Sequence, residues 1–126
     1  MTSVFNYVQR VRPQDCSSTG YLGHPRFLEF FEAAFLEYWR ARFGALHEAL
    51  GSSRKLVVTD VQLRISDGVT VDAELQIDVT LDRIEETSIR VHYDALVAGS
   101  PVAEGSVVYV CIDSAAGQPT PLPPAH

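Results

Sequence analysis

Long apolar runs are missing from this chain of 126 residues. No stretch approaches the roughly 20 residues needed to cross a bilayer. Met1-Thr2-Ser3-Val4 also lacks the basic and apolar regions of a secretory signal. The expectation is a cytoplasmic protein with no membrane partner. Basic residues are scarce too: 10 Lys and Arg against 16 Asp and Glu give a formal net charge of −6. No basic stripe is available to neutralise phosphates, so a nucleic-acid partner is not expected. Cysteine occurs twice, as Cys16 and Cys111, without a CxxC pair or a Cys/His cluster. His47, His92 and His126 stand singly. No metal site is therefore expected, and both cysteines read as free thiols. A Gly-rich phosphate loop and a Gly-x-Ser-x-Gly nucleophile elbow are absent as well, which argues against nucleotide-binding and elbow-type hydrolase chemistry.

Apolar periodicity is what the chain does have. With 46% hydrophobic and 21% charged residues it reads as one globular domain over residues 1–126. Residues 4–12 suggest a first strand, carrying Val4, Tyr7, Val8 and Val11 and ended by Pro13. Residues 13–24 form a loop rich in Ser, Gly and Asp. Pro25 suits the first helical position, and the helix is expected to run to about Leu50, with Gly51-Ser52-Ser53 as its stop. One face carries Phe27, Phe30, Phe31, Ala34, Phe35, Tyr38 and Ala41, and Leu28, Trp39 and Phe43 widen it. A helix apolar on most sides is buried on most sides.

The second half alternates with period two. Val57, Thr59, Val61, Leu63 and Ile65 form one such run, and Val69 to Leu81 form a second without a break. Ile89 to Val97 form a third. The segment near 102–113 is apolar on both faces at Val107-Val108-Tyr109-Val110, which fits a central or interface strand. Ser66-Asp67-Gly68, Glu85-Glu86 and Gly99-Ser100-Pro101 read as hairpin turns. Residues 115–126 read as a loose tail. The sum is an α+β chain: a long central helix wrapped by an antiparallel sheet of about five strands.

Asp15-Cys16-Ser17-Ser18-Thr19-Gly20 leads through Tyr21-Leu22-Gly23-His24-Pro25 into Phe30-Phe31-Glu32. This stretch resembles the loop-to-helix signature of hotdog-fold acyl-CoA thioesterases of the 4-hydroxybenzoyl-CoA type, roughly Asp-x-Asp-x-x-Gly followed by an aromatic helix with Phe-Glu. The resemblance implies the hotdog fold and hydrolysis of acyl-CoA or acyl-carrier-protein thioesters. CoA or phosphopantetheine would enter only as part of the substrate, with no separate cofactor. It also implies a homodimer or homotetramer with active sites between subunits.

In that family a backbone N–H at the helix start binds the oxyanion, and this maps onto His24, with Gly20 and Gly23 allowing close approach of the ligand. On the residues alone, His24 can equally be a plain helix start and the glycines plain turns. The second Asp of the pattern, which performs or assists the hydrolysis, falls on Ser17. Three substitutes are open. Asp15 takes over, or it only makes an Asx turn. Glu32, set among Leu28, Phe35, Leu36, Trp39 and Phe43, acts as general base, or it is structural. It lies eight residues past His24, like the helix carboxylate of another hotdog branch. Or no acid is used, and Ser17 orients water or the carbonyl. Phe35 replaces an Arg common in relatives, making that side more apolar. Tyr21, Phe27 and Phe31 are candidate substrate contacts, and Arg54 and Lys55 candidate partners of the CoA phosphates. The competing function is a non-catalytic acyl-thioester binding or interaction module that has lost its acid.

Overall fold

The computed structural model describes residues 5–123. Val4 of the expected first strand and residues 124–126 of the expected tail, His126 included, lie outside the described residues. The chain runs β1 (Phe5–Arg10), α1 (His24–Phe43), α2 (Leu46–Leu50), β2 (Arg54–Ile65), β3 (Glu74–Ile84), β4 (Ser88–Val97) and β5 (Ser100–Asp113). The strands form one antiparallel sheet in the order β1-β3-β4-β5-β2. β1 and β2 therefore lie at opposite edges, and the connection carrying α1 must cross the sheet between them.

The crossing explains the composition of α1. Phe27, Phe31, Ala34 and Phe35 are buried against the inward row of the sheet, which includes Leu75, Ile77, Val91 and Tyr93. Two stacks fix the helix on the sheet. Phe31 lies on Tyr93 with centroids 4.5 Å apart, and Phe35 lies on Tyr109 at 4.6 Å. Gly105 lets the layers approach this closely: a Cβ there would sit 2.6 Å from the Gln62 carbonyl oxygen and 3.0 Å from the Phe31 ring. Gly105→Ala is expected to destabilise the fold by about 1–3 kcal/mol, because neither a backbone carbonyl nor a stacked ring yields cheaply. Urea unfolding measures this.

Five sequence expectations need correction. The helix does not run unbroken to Leu50. Gly44 takes φ +84 and its N–H closes on the Arg40 carbonyl, ending α1 before the short α2. His24, not Pro25, is its first residue. The alternating run from Val69 is not strand throughout. Asp72 has φ +74, and the chain turns there before β3 begins at Glu74. Val69 is buried nonetheless, and its carbonyl accepts from the Leu22 N–H at 2.8 Å. Alternation reports which side chains face inward, and a turn can satisfy it as well as a strand.

Ser66-Asp67-Gly68 is not a hairpin turn either, since β2 and β3 are not neighbours. It starts a crossover, with the Ser66 and Asp67 N–H groups both donating to the Val102 carbonyl. The tail is held over much of its described length. Thr120 N–H donates to the Cys111 carbonyl, and Leu122 N–H to that of Glu86. Asp113 accepts from the backbone N–H groups of Ala116 and Gln118, and these donors hold its carboxyl below the usual carboxylate value.

Candidate active site

The loop before α1 is a compact unit. Ser17 N–H donates to the Tyr21 carbonyl, Gly20 N–H returns to the Ser17 carbonyl, and Gly20 takes φ +88. Tyr21 is half exposed, with its ring packed against Gly68, where a Cβ would lie 2.7 Å from the nearest ring carbons. The Cys16–Leu22 bridge closes the loop on itself, and the Tyr21–Thr70 bridge ties it to the 66–72 crossover. Gly23 caps α1 in extended conformation, and its carbonyl accepts from the N–H groups of Arg26 and Phe27. Pro25 has no N–H to offer. Among the described residues the His24 N–H makes no hydrogen bond, so it stands free at the positive end of a 20-residue helix.

The two loop side chains proposed for chemistry are otherwise engaged. Asp15 is buried; it accepts from the Arg12 N–H at 2.9 Å and faces the Arg26 guanidinium at 3.6 Å. Its carboxylate holds the loop to the helix start. The Ser17 hydroxyl is exposed and lies 2.7 Å from that of Thr19. It has no base beside it.

Glu32 is exposed on α1 rather than enclosed by the apolar residues near it in sequence. It stands at a cleft of about 400 Å³ between α1, α2 and β2. Phe35, Leu36, Leu46, Leu50, Leu56 and Val58 make most of the wall, Arg40, His47 and Lys55 are its basic residues, and Tyr109 lines it from β5. Lys55 thus reaches the cleft, whereas Arg54 does not line it. Phe27 and Phe31, expected as substrate contacts, are 0% and 1% exposed and belong to the core. The sequence missed Arg40, His47 and Tyr109 here. Only Tyr109 left a signal, as a hydroxyl on the inward face of an otherwise aliphatic strand.

The candidates thus fall into two groups on one helix. Loop residues and the His24 N–H sit at its start; Glu32 and the cleft sit eight residues on, about 12 Å along the axis. On the opposite sheet face, register gathers His92, Asp94 and Glu104 with ligating atoms within 4.8 Å of one another. That group lies across the sheet from α1 and takes no part in this site.

A free helix N-terminus, a carboxylate and an apolar cleft thus share one helix and the sheet wrapped around it. The sequence profile of the thioesterase-like superfamily matches residues 11–126, and the chain belongs to that superfamily. No curated protein sequence matches it. Among solved structures it is similar to a 1,4-dihydroxy-2-naphthoyl-CoA thioesterase from Synechocystis. The TM-score is 0.88 at 17% identity, over 96% of this chain and 90% of that one. A DHNA-CoA thioesterase from Staphylococcus aureus gives 0.90 at 15%, over 94% and 80%. A probable thioesterase from Bartonella henselae gives 0.86 at 24%, over 97% and 99%. The shared architecture is the hotdog fold. No helix among the described residues is long and apolar enough to cross a membrane.

Proposed function

We propose that the chain hydrolyses acyl thioesters of CoA or of an acyl carrier protein, in a site completed by a second copy of itself. The observation that carries this reading is Glu32 at the mouth of an apolar cleft, on the helix whose first N–H is free. The thioester oxygen accepts from the His24 N–H, where the helix dipole favours developing negative charge. Glu32 takes a proton from water as the water oxygen bonds to the carbonyl carbon. The tetrahedral intermediate then expels the thiolate, which recovers the proton from Glu32, leaving acid and thiol. Ser17 has no role as base, because a hydroxyl without its own base cannot accept the proton.

One copy cannot bring both groups to one carbon, since about 12 Å of helix separates them. Two antiparallel helices related by a two-fold axis can, each giving Glu32 to the other's N-terminus. The edge of β2 supports such pairing: it is 12 residues long, bonded on one side only, and exposes Val58, Val61 and Ile65.

The test is thiol release from aromatic, short-, medium- and long-chain acyl-CoAs, with sedimentation of the same sample. Turnover of at least one class on the order of 10³-fold above the uncatalysed rate, by a dimer or tetramer, is expected. A folded protein that binds CoA esters and turns none over, on CoA or carrier protein, would instead be a binding module.

A further inference from the structure

Two phenols that this mechanism leaves unused meet beneath the cleft. The hydroxyl oxygens of Tyr93 and Tyr109 lie 2.8 Å apart. Tyr93 is 0% exposed and sealed behind Phe31, while Tyr109 is 5% exposed and lines the cleft. Each phenol has one proton to donate. One proton is used between them, and the second finds no acceptor among the described residues. Either hydroxyl can be the donor; where Tyr93 donates to Tyr109, the spare proton belongs to the residue that lines the cleft. Both groups remain donors throughout the working range. Burial, reinforced by the nearby Glu32 charge, pushes Tyr109 up to about 12 and Tyr93 higher still.

A buried donor is costly to leave unmatched. In the empty cleft water can match it. An alkyl chain would displace that water and give nothing back, whereas a chain with a suitably placed oxygen would restore the bond. The stack of Phe35 on Tyr109 holds the phenol ring in place, so the hydroxyl cannot swing away from a mismatched chain. We propose that Tyr109 is a specificity-determining residue: its hydroxyl, backed by Tyr93, donates to an oxygen on the acyl group in the cleft. The preferred substrates are then oxygen-bearing acyl groups rather than plain alkyl chains. This rests on the thioesterase reading, with the cleft as acyl chamber.

The test uses straight-chain acyl-CoAs with a single keto oxygen at successive carbons beyond the thioester, each against its unsubstituted parent. Wild type is expected to favour one position over the parent by about 10- to 100-fold in kcat/KM. Tyr109→Phe should abolish that preference, bringing the kcat/KM values of the two members of the pair together, and Tyr93→Phe should retain it. The same pairs as non-hydrolysable thioethers, measured by calorimetry, separate the two ideas. Preference in binding without turnover would support the Tyr109 role and sink the hydrolytic reading. Turnover without preference at any position, equal losses on both members of a pair in Tyr109→Phe, or binding of neither analogue would overturn the Tyr109 role.

Discussion

Glu32→Gln is expected to lower kcat for acyl-CoA hydrolysis by about 10²- to 10⁴-fold, the usual contribution of a positioned general base. The exchange keeps the side chain's shape and removes only its capacity to accept a proton. Glu32 is exposed and belongs to no ion pair among the described residues, so thermal stability should be nearly unchanged. Ser17→Ala offers the contrast. Its hydroxyl contacts Thr19 in an exposed turn, and its loss should change kcat by less than about threefold. Full activity in Glu32→Gln would show that the helix carboxylate is structural and that the N-terminal donor and positioning suffice. Steady-state kinetics on the two variants, with melting curves, decide this.

The second large effect is on stability. Phe31→Ala is expected to cost roughly 3–5 kcal/mol, as for other buried aromatic truncations. The ring is 1% exposed, stacks on Tyr93 and touches the face left open by Gly105. Removing it leaves a cavity under the centre of α1 and loosens the Tyr93–Tyr109 contact. A substrate contact would behave differently, with KM rising while the unfolding midpoint stayed put. Denaturant titration and kinetics on the same sample distinguish the two.

Much of the fold was legible because its signals are local. The apolar sides of α1 and the inward faces of β4 and β5 follow from side-chain period alone, and most of those residues are buried, although Ala41, expected on the α1 face, is exposed. The Glu85-Glu86 and Gly99 turns join strands that do pair. Errors arose where spatial neighbours differ from chain neighbours. Nothing in Ser66-Asp67-Gly68 tells a hairpin from a crossover to the far side of the sheet. Gly44 interrupts a helix whose apolar pattern continues past it, because Leu46 is buried by α2 rather than by a longer α1. At the site, the loop-to-helix motif located the free N-terminus, but helical spacing enclosed Glu32 among apolar side chains, whereas it is exposed at the border of the cleft.

By itself the sequence determined that a helix apolar on most sides must be wrapped by a half-polar antiparallel sheet, since no other packing removes both apolar faces from water. It also placed the helix start within one residue and put Ser17 where the resembled motif carries its second Asp. Tertiary structure alone decided the rest. Strand order separated β2 from β3 and left the β2 edge open. Register and helix placement brought Tyr93 and Tyr109, sixteen residues apart, into one hydrogen bond beneath the cleft that Glu32 borders. Such contacts depend on which strands pair, and pairing is settled by burying the whole chain at once, not by any one segment's preference.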